Sequence, residues 1–117
     1  MKNQYSHLTA KSRDKISFPM NWLKRQNLLK GEILDFGCGH GFDVEFLKKL
    51  NFQIIGFDPY YFNELDESKK YDTITCIYVL NVVETIEQSK ILMKISSLLK
   101  NGGVAYFAVR RDIKYEG

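Results

Sequence analysis

Cysteine is scarce in this sequence: Cys38 and Cys76 are the only two thiols, and they lack metal-ligand spacing. That excludes a disulfide scaffold and a structural zinc site, and leaves two reduced thiols of a cytoplasmic protein, both expected as small buried residues. Long apolar runs are missing as well. The longest, from Thr73 to Val83, falls well short of the roughly 20 residues that cross a bilayer, so no membrane partner is expected. The polar, charged N-terminus is unlike a secretory leader. Histidine is limited to His7 and His40, each isolated and read as a surface or structural residue rather than a base. Repeats and low-complexity segments are absent, and 117 residues is the length of a single domain.

What charge there is lies unevenly. Of 17 basic residues, seven fall between Met1 and Lys30 (Lys2, Lys11, Arg13, Lys15, Lys24, Arg25, Lys30), against one acid, Asp14. Residues 1–30 therefore form a basic lead-in and helix, which is either a solvated face or a segment able to track phosphates.

Apolar periodicity supplies the elements. Ser17-Phe18-Pro19 has the cap and first-turn proline of a helix start, so a helix is expected through Met20 to Leu29, with Trp22, Leu23 and Leu29 apolar and Gly31 ending it. Glu32 to Phe36 reads as a buried strand. Phe42 to Leu50 reads as a helix with Phe46, Leu47 and Leu50 on one side, and Gln53 to Phe57 as a second strand. Tyr60 to Lys70 has no clean period and is expected as loop. Tyr71 to Tyr78 is a β-rich run. Thr85-Ile86-Glu87-Gln88 matches a capping box opening a helix to Leu99, whose core stripe would be Ile91, Leu92, Ile95, Leu98 and Leu99. Asn101-Gly102-Gly103 is expected to end that helix before a last strand, Val104 to Val109. This alternation predicts an α/β fold with an open, mostly parallel sheet and right-handed crossovers.

Within that frame the stretch "EILDFGCGHGFDVEFLKKL" stands out. Gly37, Gly39 and Gly41 occupy alternate positions in the first strand-to-helix turn, where a ligand sits in such sheets. A nucleotide-like cofactor is the expected ligand. The dinucleotide fingerprint G-x-G-x-x-G would need its third glycine at position 42, which is Phe42, so an NAD-dependent oxidoreductase is disfavoured.

"LDFGCGHG" resembles motif I of the class I S-adenosylmethionine-dependent methyltransferases. "IIGFDP" is similar to that family's second strand, with Asp58 standing 21 residues after Gly37. "YDTITCIYVLNVVE" and "LLKNGGVAYFAV" are similar to its fourth strand with the following loop and to its fifth strand. "HLTAKSRDKISFPMNWL", "YVLNVV" and "AVRRD" more loosely resemble bacterial methyltransferases found beside DNA-modification systems. The resemblance implies a Rossmann-like fold, methyl transfer and S-adenosylmethionine as cofactor.

It also assigns roles. Gly37, Cys38, Gly39 and Gly41 would lie against the methionine moiety, with the amides opening the next helix near its carboxylate. Asp35 would order the loop and the cofactor's amino group. Asp58 would hold the ribose hydroxyls, and Pro59 or Tyr60 the adenine. The backbone from Cys76 to Tyr78 would flank the methionine end. Tyr78 and Asn81 would be acceptor-side groups, with Arg110 and Arg111 as further candidates.

Plainer roles stand beside these. Asp35 would cap the glycine turn, Asp58 would be a turn residue, and Tyr60, Tyr61 and Phe62 would cover the core. The acceptor, a small molecule or nucleic acid, is not specified. An N-P-P-Y type loop does not follow the fourth-strand match, which argues against exocyclic base amines.

The resemblance further implies a reduced sheet. Only fourteen residues run from Asp58 to Asp72, too few for the usual helix and third strand, and the chain stops after the fifth, without the sixth and seventh. A pared-down or truncated enzyme and a non-catalytic cofactor-binding module both follow as readings. The wholly apolar Val104-Ala105-Tyr106-Phe107-Ala108-Val109 reads as an interior strand, its outer edge to be met by a second copy of the chain, by the tail, or by further strands.

Overall fold

The computed structural model describes residues 16–79 and 84–109. Four strands, β1 (Glu32–Phe36), β2 (Gln53–Phe57), β3 (Tyr71–Ile77) and β4 (Leu99–Ala108), form one sheet in the order β2-β1-β3-β4, and every pair is parallel. Among the described residues three helices accompany them: α1 (Phe18–Arg25), α2 (Phe42–Lys49) and α3 (Thr85–Ser97).

β1 is interior to the sheet and reads accordingly, with Ile33, Leu34, Asp35 and Phe36 all buried. Alternation along the strands divides the core between the two faces of the sheet. One face joins Ile33 and Ile54 to Met20 and Leu23 of α1 and to Val44 and Leu47 of α2. The other joins Leu34, Ile74 and Cys76 to Ile95 of α3 and to Leu98. Each such side chain stabilises the fold by about 1.5–3 kcal/mol on burial. The crossover helices α2 and α3 therefore lie on opposite faces, and the chain changes direction of travel across the sheet between β1 and β3. In open α/β sheets a ligand crevice lies beyond the carboxyl ends of the strands at such a reversal.

The boundaries of β1 and β2 agree with the sequence reading. Other boundaries do not. Ser17 caps α1, its Oγ accepting from Met20 N at 3.4 Å, but the helix ends at Arg25 because Asn27 turns left-handed at φ 60°. Leu29 is nonetheless buried, from the connection rather than from a helix, whereas Trp22 is half exposed. Leu50 also lies exposed at the end of α2, where Asp43 and Val44 share the buried side with Leu47. Glu84, not Thr85, caps α3 and makes no side-chain cap bond, so the expected capping box does not form. Ile95 and Leu98 of the expected stripe are buried, but Leu92 is exposed.

Asn101-Gly102-Gly103 lies inside β4 rather than before it. Five steps along β4, from Leu99 to Val104, oppose two along β3, from Tyr71 to Thr73, so these residues form a bulge. Among the described residues β4 lies outermost in the sheet, with nothing paired on its outer side. No strand forms between Phe57 and Tyr71, which leaves β2 at the opposite edge.

Candidate functional site

The carboxyl end of β1 runs straight into the glycine turn. Gly37 N and Cys38 N both donate to Phe57 O, at 2.7 and 2.9 Å, so the turn is pinned to the end of β2. Gly37, Gly39 and Gly41 all take left-handed φ values, 86°, 59° and 85°, which side-chain-bearing residues adopt only at a cost.

Their surroundings differ. A Cβ on Gly37 would collide with Val79 Cγ2, and one on Gly41 would press on the Phe62 ring at 3.2 Å. At Gly39 it would meet nothing within 4 Å. Gly37 and Gly41 are thus needed for packing, while Gly39 presents bare backbone to an open space.

Asp58, at the end of β2, ties this turn together. Its Oδ2 accepts from Gly39 N at 2.9 Å and its Oδ1 from Tyr60 N at 2.9 Å. Each oxygen has a second lone pair for another donor. Asp58 and Phe62 also exchange backbone bonds of 2.8 and 3.0 Å, closing Pro59-Tyr60-Tyr61 into a tight loop. The three aromatics expected to act alike separate here. Tyr60 is 86% exposed, Tyr61 packs edge-on against His40 with centroids 4.2 Å apart, and Phe62 covers Gly41.

Asp35 is buried at the floor of the crevice, where its Oδ1 accepts from Thr75 Oγ1 at 3.0 Å across the β1–β3 pair. Cys38 turns its thiol inward onto Gly56, leaving no room there for a Cβ, and donates weakly to Gly39 O at 3.6 Å. Cys76 is buried in the opposite core. Burial, with the nearby Asp35 charge second, pushes both thiols up to about 12, and Asp58 adds to this at Cys38. Both therefore stay neutral packing groups near pH 7, and what these two positions can offer a ligand is backbone.

Beyond β3, Tyr78 holds φ 64°, a strained conformation for an aromatic residue, and its N–H donates to Ala108 O at 2.7 Å. The next residue, Val79, packs on Gly37, so the end of β3 is fastened to the glycine turn on one side and to β4 on the other. Asn81, Arg110, Arg111 and His7 lie outside the described residues.

Sequence reasoning read Ser17 only as a helix cap and missed Asp43. Asp43 is buried in the first turn of α2, accepting from Ser17 N at 2.9 Å and Ser17 Oγ at 2.7 Å, which fastens the start of α1 to the helix that follows the glycines. An acid in a first helical turn reads as a dipole partner. The bond to a residue 26 positions away has no local signature. Among the described residues no cluster of three or more potential metal ligands forms, and no helix is long and apolar enough to cross a membrane.

Comparison with known proteins agrees with this fold. The crystal structure of the glycopeptide N-methyltransferase MtfA superposes with a TM-score of 0.61 at 11% identity, covering 90% of this chain and 60% of that one. At that identity the likeness is one of fold: the parallel sheet is that of the Rossmann-like class I methyltransferases. A search of curated protein sequences found no match. A protein-family model described as "Methyltransferase domain" matches residues 4–115, nearly the whole sequence, and the chain belongs to that family.

Proposed function

We propose that the chain binds S-adenosylmethionine in the crevice beyond β1 and transfers its methyl group to an acceptor held near Tyr78. The observation that carries this reading is Gly39: a left-handed glycine with open space where a Cβ would stand, its amide held by the Asp58 carboxylate. The residues present fit the cofactor. Gly39 offers close backbone approach, α2 opens on Gly41 without a side-chain cap bond, and Asp58 keeps a lone pair on each oxygen for ribose hydroxyls. Tyr60, almost fully exposed one residue beyond Pro59, offers a face for adenine.

When bound, this cofactor supplies a methyl group already activated by its sulfonium. The protein's share is then positional. Asp35 and Thr75 set the floor of the crevice, Asp58 holds the turn, and Tyr78, locked to Ala108, limits where an acceptor can approach. The two neutral buried thiols suit a reducing, cytoplasmic setting.

Turnover tests the proposal. With methyl-labelled S-adenosylmethionine, label is expected to pass to one of two acceptor pools, a small-molecule extract or mixed DNA and RNA. Cofactor bound without transfer in either arm would leave a non-catalytic binding module.

A further inference from the structure

One buried polar pair joins the start of α1 to the helix that opens on the glycine turn. Asp43 lies in the first turn of α2, just after Gly41, and Ser17 caps α1; they are 5% and 6% exposed. We propose, resting on the methyl-transfer reading, that Asp43 is a positioning residue for the acceptor: through Ser17 it sets where α1 stands beside Tyr78.

α1 matters there because it supplies one wall of an open cleft of about 500 Å³. Phe18, Trp22 and Leu23 come from α1, and Ile77, Tyr78 and Tyr106 from the sheet and the residue that ends β3. With Tyr78 on its rim, this cleft is the acceptor side of that reading.

Two kinds of contact hold α1, with different consequences. Met20 and Leu23 share a buried core with Val44 and Leu47 of α2, and because apolar burial is non-directional it stabilises the helix without fixing its rotation. The carboxylate is directional. Asp43 Oδ1 accepts from Ser17 N at 2.9 Å and Oδ2 from Ser17 Oγ at 2.7 Å, two points that together orient one residue. From Ser17 that orientation passes into the helix, since Ser17 O accepts from Asn21 N at 2.9 Å and Ser17 Oγ from Met20 N at 3.4 Å. Trp22 is the next residue along.

Such a joint resists displacement, because sliding α1 would strip donors from a charge with little access to water. Its other side is the glycine turn. Gly41 is the N-cap of α2, and its carbonyl accepts from Glu45 N at 2.9 Å. The cofactor turn and the acceptor wall are thus both referred to the first turn of α2. In-line transfer depends on that relation, since a misplacement of about 1 Å can cost on the order of 10²-fold in rate.

Asp43→Asn, which turns one acceptor oxygen into a donor, and separately Ser17→Ala test this, with Ser17→Thr, which keeps the hydroxyl, as the rescue. Trp22, the single tryptophan, reports the wall through acrylamide quenching. Both Asp43→Asn and Ser17→Ala are expected to stay folded by circular dichroism and to bind S-adenosylhomocysteine within about threefold of wild type by calorimetry. Trp22 should nonetheless be quenched more strongly and emit further to the red. Turnover of labelled S-adenosylmethionine should fall at least about tenfold with the cofactor's KM unchanged, and Ser17→Thr should restore both readouts. Ile95→Val, a destabilising change in the opposite core, should leave Trp22 unmoved, which separates positioning from loss of stability. Folded variants that bind cofactor while Trp22 is quenched as in wild type overturn the role given to Asp43 alone, and so does a loss of cofactor affinity as large as the loss of turnover. A wild-type chain that binds no S-adenosylhomocysteine, or binds it and transfers no label, overturns the methyl-transfer reading and that role with it.

Discussion

Gly39→Ala is expected to fold and to lose more than tenfold in affinity for S-adenosylhomocysteine, whereas Gly37→Ala is expected to lose the fold's stability first. The two glycines share a left-handed backbone, so alanine at either position carries about 1–2 kcal/mol of conformational strain. Only Gly37 adds a collision, with Val79 Cγ2, and overpacking of that kind costs about a further 1–3 kcal/mol. At Gly39 the new methyl enters free space in the apo protein and blocks only what approaches the backbone from outside. A tenfold loss of affinity corresponds to about 1.4 kcal/mol, readily measured by titration calorimetry. If Gly39→Ala bound as tightly as wild type, the open face of that glycine would not be the cofactor's side.

Asp58→Ala is the second large effect. Two backbone N–H groups, of Gly39 and Tyr60, lose a carboxylate acceptor, and charge-assisted bonds of this kind contribute about 1.5–3 kcal/mol each when well buried. Asp58 is half-buried, so a stability loss of about 2 kcal/mol in total is expected. Cofactor affinity should fall by a further ~2 kcal/mol, because the ribose hydroxyls lose the same acceptor. Asp58→Asn, which keeps one acceptor oxygen, should fall between. Denaturant unfolding and calorimetry separate the two losses. A drop in stability with unchanged affinity would confine Asp58 to holding the turn.

The dual duty proposed for Asp58 is only half legible in the sequence. Its place after an apolar strand and its distance from Gly37 pointed to a ligand-facing acid. Its bond to Gly39 depends on how the ends of β1 and β2 meet, which spacing alone does not specify. The glycines pose the same problem. Alternate positions advertise a special backbone, but what lies above each depends on Val79 and Phe62, 42 and 21 residues further on.

β1 and β2 were readable to the residue because short, largely apolar runs bounded by Gly31, Gly37 and Asn51 leave little freedom. Helix ends were less so. Leu29 and Leu50 extend the apolar pattern past the true ends of α1 and α2, one buried from a loop and the other exposed. For β4 the apolar pattern marks a strand but not its neighbours: that β3 pairs with it on one side is set by the crossover through α3, not by its own sequence.

The central claim, a crevice built for S-adenosylmethionine, rests most directly on ligand-dependent stability. The measurement is thermal unfolding of the intact chain with S-adenosylhomocysteine and, separately, with NAD. At a thousandfold excess over its dissociation constant, S-adenosylhomocysteine should add about 4 kcal/mol and raise the midpoint by several degrees, while NAD should leave it unmoved. A shift with NAD and none with S-adenosylhomocysteine would contradict the account.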